Sequence, residues 1–209
     1  MRILVSKNQF YLFAILVLAV FVLSAIFLFP GGKASESAGK EQLSEVGGAG
    51  AGQTGLQARF ASLSEARSNY CAGPDFIDEM TEDDRIQGSC CSAMDFHRYE
   101  EQVEGLKKYA HIDKIPSDPY DVPVSLAREL LGYQESIQLS AEQQAVYDEA
   151  VSISHEGGPC CCKCWRWYAF EGLAKYLITE HGFSAGQIAE VWDLEDGCGG
   201  SGHAEGTHA

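Results

Sequence analysis

Four cysteines fall within five consecutive positions: Cys160, Cys161, Cys162 and Cys164, interrupted by Lys163. A thiolate binds soft metal ions or attacks disulfides, so this run is where chemistry is to be expected. Its spacing sets which sulfurs can meet. On a helix, where residues advance by about 100° each, Cys160, Cys161 and Cys164 share a side. In extended backbone Cys160, Cys162 and Cys164 align instead. In either conformation three thiols converge without help from the rest of the fold. Cys161 and Cys164 also form a C-x-x-C, a spacing common to zinc sites and redox dithiols.

A second constellation precedes it: Cys90, Cys91, Met94 and His97. On a helix Cys90, Met94 and His97 stand at i, i+4 and i+7, on one face. Thiolate, thioether and imidazole together are soft ligands that suit Cu(I), and zinc rarely takes a thioether. Cys71 and Cys198 are single. Cys198 lies between glycines, from where it can reach back to complete the cluster or pair with Cys162 or Cys71. The later His203 and His208 read as solvated. Trp165, Trp167, Tyr168 and Phe170 crowd behind the cluster, as core and as a shell that would keep water from a Cu(I) site.

Three functions compete for these residues. The expected one is binding of copper as Cu(I), or else zinc, for storage, delivery or sensing. The ligand set is Cys160, Cys161, Cys162, Cys164, Cys90, Cys91, Met94 and His97, with Cys198 and Cys71 in reserve, and a metal-transfer protein would be the natural partner. The second is thiol–disulfide exchange through Cys161 and Cys164, with no thioredoxin-like β-α-β context to support it. The third is a disulfide-stapled interaction domain. Eight cysteines allow four bridges, but adjacent cysteines pair poorly with each other because disulfide geometry is specific. No G-x-S-x-G, P-loop, H-E-x-x-H or recognisable Cys-His-Asn pattern is present, so no catalytic residue is assigned and the chain is not expected to be an enzyme.

The run Pro159-Cys160-Cys161-Cys162-Lys163-Cys164 resembles the motif that names the PCYCGC-motif proteins, a bacterial family of extracytoplasmic lipoproteins of undefined function. Pro159, Cys160, Cys162 and Cys164 match; Cys161 stands for its Tyr and Lys163 for its Gly. The resemblance covers residues 140–195 and implies an outward-facing metal or thiol role, with no catalytic residue. The chain departs from the family in having no cysteine before Cys71 to carry a lipid, and in having only Cys198 where a downstream pair is expected.

The elements that must position these thiols read as helices, and the fold class expected is all-α. Leu56, Phe60 and Leu63 recur at helical spacing, as do Phe96, Tyr99, Val103, Leu106 and Ala110. Residues 112–124 hold three prolines and read as an ordered, irregular crossing. A short helix over 125–131 should end at Gly132. Ser140 with Gln143 forms a capping box for a helix to about Ile153. After a Gly-Gly-Pro break at 157–159, the next helix should begin among the cysteines, run to His181 and stop at Gly182. Ser184 with Gln187 caps a last helix over 185–194. Glu171, Lys175 and Thr179 form a polar stripe expected to face water. Stepping back along that helix places Cys164 and Cys160 above the stripe, off the core, where the helix N-terminus, Lys163 and Arg166 favour thiolate. Thr81 could cap a helix, and Glu82, Asp83 and Asp84 read as a solvated run.

Residues 10–29 contain no charge, Pro or Gly. Twenty residues at about 1.5 Å each span the hydrocarbon layer of about 30 Å, so they read as an uncleaved transmembrane anchor. Arg2 and Lys7 place residues 1–9 in the cytoplasm and the main domain outside. Residues 30–55 read as a flexible linker, 56–198 as the cysteine-rich helical domain and 199–209 as a loose tail. The localisation expected is the cell membrane, single-pass, with an extracytoplasmic domain. Fifteen Lys and Arg against 30 Asp and Glu, a net charge of −15, argue against nucleic acid, which selects a basic surface. The last two helices have the flavour of a helix-turn-helix, but the second lacks any basic residue; they are expected to form a hairpin that closes the core.

Overall fold

Two expected caps open helices where the sequence places them. Ser140 donates its N–H to Gln143 Oε1 at 2.9 Å and its hydroxyl accepts from the Gln143 N–H at 3.3 Å. Ser184 donates its N–H to Gln187 Oε1 at 3.0 Å. Such reciprocal bonds satisfy amides that a helix start otherwise leaves without partners. The computed structural model describes residues 49–200, with side chains from residue 54. The expected cytoplasmic segment, the anchor over 10–29, most of the linker, and His203 and His208 lie outside the described residues. Among those described, no helix is long and apolar enough to cross a membrane.

The helices are α1 (Ala49–Glu65), α2 (Phe96–Leu106), α3 (Val124–Ser136), α4 (Ala141–Ile153), α5 (Trp165–His181) and α6 (Ala185–Leu194). Short 3-10 turns occur at Pro74–Glu79 and Lys107–Tyr109. The fold is mostly helical, as expected, with one departure from all-α. Strands β1 (Arg85–Gln87) and β2 (Asp121–Pro123) pair antiparallel, with Ile86 opposite Val122. Three residues are too few to show alternation in sequence. Ile86 and Val122 are nonetheless fully buried, so the ribbon is held by the core it covers. Strand β2 is the end of the proline-rich crossing.

Helix α5 is the centre of the domain. Leu173 and Leu177 pack with Leu130 of α3 and with Ile188 and Trp192 of α6 in one continuous core. A Cβ on Gly172 would lie 1.9 Å from Leu130 O, so the α3 and α5 backbones touch there. Helix α6 lies mainly against α4 and α2 rather than closing a hairpin with α5. Its Trp192 indole donates to Phe170 O at 3.1 Å. A smaller cluster of Leu63, Tyr99 and Tyr120 seats α1 on α2. Buried carboxylates lock it: Arg59 Nε donates to Asp118 Oδ2 at 2.6 Å, and Tyr99 Oη donates to the same oxygen at 2.7 Å.

Four expectations are corrected. Helix α1 begins at Ala49, inside the expected linker. Helix α3 does not end at Gly132 but continues to Ser136. Tertiary partners carry its last turn: Tyr133 stacks on Tyr176 with ring centroids 5.0 Å apart, and Gln134 O accepts from Lys175 Nζ at 2.7 Å. These outweigh the glycine penalty of about 1 kcal/mol. Glu171 and Lys175 of the expected polar stripe therefore face the α3 seam, not open water, while the Thr179 hydroxyl bonds back to its own helix. Thr81 caps no helix; its N–H donates to Asp84 Oδ2 at 2.7 Å in a turn.

Candidate metal centre

The cysteine run does not begin a helix. Residues 160–163 form successive bends, and Cys164 is the N-cap of α5. The cause is the preceding Gly157 and Gly158, both at positive φ, followed by Pro159. Gly158, at φ +148°, also presses on the Trp167 ring, 2.6 Å from where a Cβ would sit. The helical angles used to aim Cys160 and Cys164 away from the core thus do not apply. Both thiols are buried, each 3% exposed.

Three other segments close around this loop. Segment 69–72 is held by Trp165, whose N–H donates to Ala72 O at 2.7 Å. The Trp165 indole donates to Asn69 Oδ1 at 2.9 Å, and Asn69 Nδ2 donates to Gly88 O at 2.8 Å. Segments 90–94 and 197–200 are zipped together. Cys90 N–H donates to Gly197 O at 3.2 Å, Ser92 N–H to Cys198 O at 2.9 Å, and Gly200 N–H to Ala93 O at 2.7 Å. Gly199 is required by this zipper: its φ is +84° and a Cβ would lie 2.2 Å from Ser92 O. The tail boundary expected at 198 therefore falls short of the zipper's last pair, Met94 with Gly200.

These four segments bring all eight cysteine sulfurs into one network. Cys160 Sγ lies 3.8 Å from Cys164 Sγ and 3.5 Å from Cys198 Sγ. Cys198 Sγ is 3.4 Å from Cys161 Sγ and 3.9 Å from Cys90 Sγ. Cys90 and Cys91 sulfurs are 3.5 Å apart, and those of Cys71 and Cys162 are 3.1 Å apart. Four triplets have all their sulfurs within 4.8 Å of one another and could hold a metal ion: Cys71/Cys91/Cys162, Cys90/Cys91/Cys198, Cys160/Cys161/Cys198 and Cys160/Cys162/Cys164. The last is the set expected of extended backbone. Cys160, Cys164 and Cys198 are buried, while Cys71, Cys91 and Cys161 are exposed, so the network has a closed floor and an open edge.

Met94 and His97 do not share a helical face with Cys90, although Met94 lines the same cavity as Cys90 and Cys91. Helix α2 starts only at Phe96, with Asp95 as its N-cap, so the expected i, i+4, i+7 face does not exist. Met94 packs on the Leu63–Tyr99–Tyr120 cluster, and its sulfur lies 3.8 Å from Ser64 Oγ. His97 is 80% exposed and pairs with Glu101 at 3.2 Å.

Among the buried and half-buried thiols, electrostatics favour ionisation at Cys164. Hydrogen bonds from Cys160 and Cys90, with the amides of Arg166 and Trp167, pull the Cys164 thiol far below the ordinary range. Hydrogen bonding to Cys164 pushes the Cys90 and Cys160 thiols up. Burial does the same to Cys162, and hydrogen bonding with Cys160 and Cys90 to Cys198. Two thiolates 3.5 Å apart repel by about 5 kcal/mol at an effective dielectric of about 20. Further ionisation needs added positive charge, which a metal ion supplies.

No family model, curated protein or solved structure matches this chain.

Arg166, expected beside the cysteines as a cation that favours thiolate, is buried, which the sequence reading did not foresee. It is 1% exposed and the only buried cation among the described residues. Its guanidinium donates to Glu195 O at 2.9 Å and to Pro119 O, and rests 5.0 Å over the Trp165 ring and 5.4 Å over that of Phe170. Its charge lowers the Cys90 thiol, opposing the larger effects on that group. A Cβ on Gly197 would lie 2.4 Å from Arg166 Cζ. The Gly197-Cys198-Gly199 sequence carried this signal, since glycines on both sides of a cysteine mark close backbone approach.

Proposed function

We propose that this chain binds copper as Cu(I) through its cysteine thiolates, for storage, delivery or sensing. The observation that carries the reading is the gathering of eight sulfurs from four separate segments into one network. Donor chemistry supports a soft metal. Every close donor is a thiol sulfur, which suits Cu(I), zinc or iron–sulfur chemistry. Structural zinc is almost always tetrahedral and takes four protein ligands, whereas the groups found here are triplets. The case for copper rests on the thiol sulfurs. Residues 10–29 would anchor the domain outside the cytoplasm, and a metal-transfer protein would meet the exposed edge at Cys71, Cys91 and Cys161.

Elemental analysis of the anaerobically purified full chain, with a free-thiol count under denaturation, tests the reading. Copper bound to reduced thiols supports it. Zinc in its place selects the other metal. Paired thiols that take up no metal after reduction and reconstitution refute it and leave the disulfide readings. The 3.1 Å Cys71–Cys162 approach is where a first disulfide would form.

A further inference from the structure

The four sulfur triplets are not independent. Cys91 belongs to the triplet with Cys71 and Cys162 and to that with Cys90 and Cys198. Cys198 joins the second of these to the triplet with Cys160 and Cys161. Cys160 joins the third to the triplet with Cys162 and Cys164, and Cys162 returns to the first. The sharing closes on itself. Four sulfurs serve two triplets each and four serve one.

We infer that the site is a ring of four Cu(I) ions, each held by three thiolates, with Cys91, Cys160, Cys162 and Cys198 bridging and Cys71, Cys90, Cys161 and Cys164 terminal. The inference rests on the copper reading and specifies its nuclearity. Metal–thiolate bonds of about 2.3 Å place the sulfurs of a planar trigonal ion about 4 Å apart. The separations around Cys198, 3.4, 3.5 and 3.9 Å, the 3.8 Å between Cys160 and Cys164 and the 3.5 Å between Cys90 and Cys91 approach that figure, while Cys71 and Cys162, 3.1 Å apart, would have to separate by about 1 Å on loading. Loading balances as eight thiols and four Cu(I) giving the ring and eight protons, with no change of oxidation state. The ring carries four net negative charges, and buried Arg166 is the nearby fixed cation that offsets part of them. Burial does not divide the roles: bridging Cys160 and Cys198 are buried and terminal Cys71 and Cys161 are exposed, but terminal Cys164 is buried and bridging Cys91 is exposed.

The test is anaerobic titration of the full chain in detergent with Cu(I) supplied as its acetonitrile complex. It is read by native mass spectrometry and by X-ray absorption at the copper edge. Expected are a dominant four-copper species, three sulfurs per copper and a short copper–copper vector. Under competition from bicinchoninate, Cys161→Ser should retain three ions and Cys198→Ser two, because the second substitution opens two sites. Circular dichroism checks that each variant folds. If Cys198→Ser does not fold, the native count and Cys161→Ser still decide. A dominant count other than four, or equal losses in the two folded variants, overturns the ring. One copper on reduced thiols overturns the ring alone and leaves the copper reading standing. No copper at all removes that reading as well.

Discussion

Cys160 and Cys198 provide a test of the network's electrostatics that needs no metal. Both thiols are buried. Hydrogen bonding to Cys164 pushes Cys160 up to about 12, from 9.0 in the unfolded chain. Cys198 rises further through its bonds with Cys160 and Cys90. A thiol whose pKa is raised on folding keeps a proton that the unfolded chain gives up. Its stabilising contribution is complete below about pH 9 and is lost as pH rises towards the folded value. At pH 10 each such thiol has withdrawn about 1.4 kcal/mol, so the two together withdraw about 3 kcal/mol. For a domain of this size that corresponds to about 6–12 °C in Tm. The assay is thermal unfolding of the metal-free, reduced chain at pH 7.5 and pH 10, beside the Cys160→Ser/Cys198→Ser variant. Buried tyrosines also weaken the fold in alkali, but they do so equally in both proteins and cancel in the difference. The variant should lose about 3 kcal/mol less than the natural sequence. Equal losses would mean that these thiols ionise freely, and would refute the reasoning.

Four further outcomes follow from other contacts. Gly172→Ala should cost about 3 kcal/mol in thermal unfolding, the upper end of an overpacking penalty, because its Cβ meets the α3 backbone. Gly132→Ala, with open space around it, should instead stabilise by about 0.5–1 kcal/mol. Met94→Leu and His97→Ala should leave the metal count by mass spectrometry unchanged, and loss of an ion in either would restore it to the ligand set. Asn69→Leu strands the Trp165 indole donor and Gly88 O and should cost about 2–4 kcal/mol in chemical denaturation, with weaker metal retention because segment 69–72 loosens.

Signals confined to a few neighbouring residues were legible in the sequence. Ser140 with Gln143, Ser184 with Gln187 and the stop at Gly182 depend on local hydrogen bonds and backbone freedom, and each fell at its expected residue. Elements decided by distant partners were not legible. Helix α3 passes Gly132 because α5 holds its last turn, and the Arg85–Gln87 ribbon exists because Val122 arrives from the proline-rich crossing. The cysteines show both sides. Their types and crowding announced a thiol centre, and Cys198 was placed within reach of it. Extending α5 backwards into the run reversed the burial of Cys160 and Cys164, since Gly157, Gly158 and Pro159 impose bends. The Cys90–Met94–His97 face failed in the same way, because Asp95 starts α2 after the first two of its members.

Cys198 lies 127 positions beyond Cys71 and 34 beyond Cys164. As the chain leaves the ribosome, seven thiols emerge and wait before the eighth can dock. Until the 197–200 strip zips onto 90–94, two of the four sulfur triplets lack a member and the buried floor stands open. The domain thus passes through an interval in which its most reactive groups are gathered but uncovered. A chain truncated anywhere between Cys164 and Cys198 would remain in that condition permanently, open to air oxidation and to whatever metal arrives first.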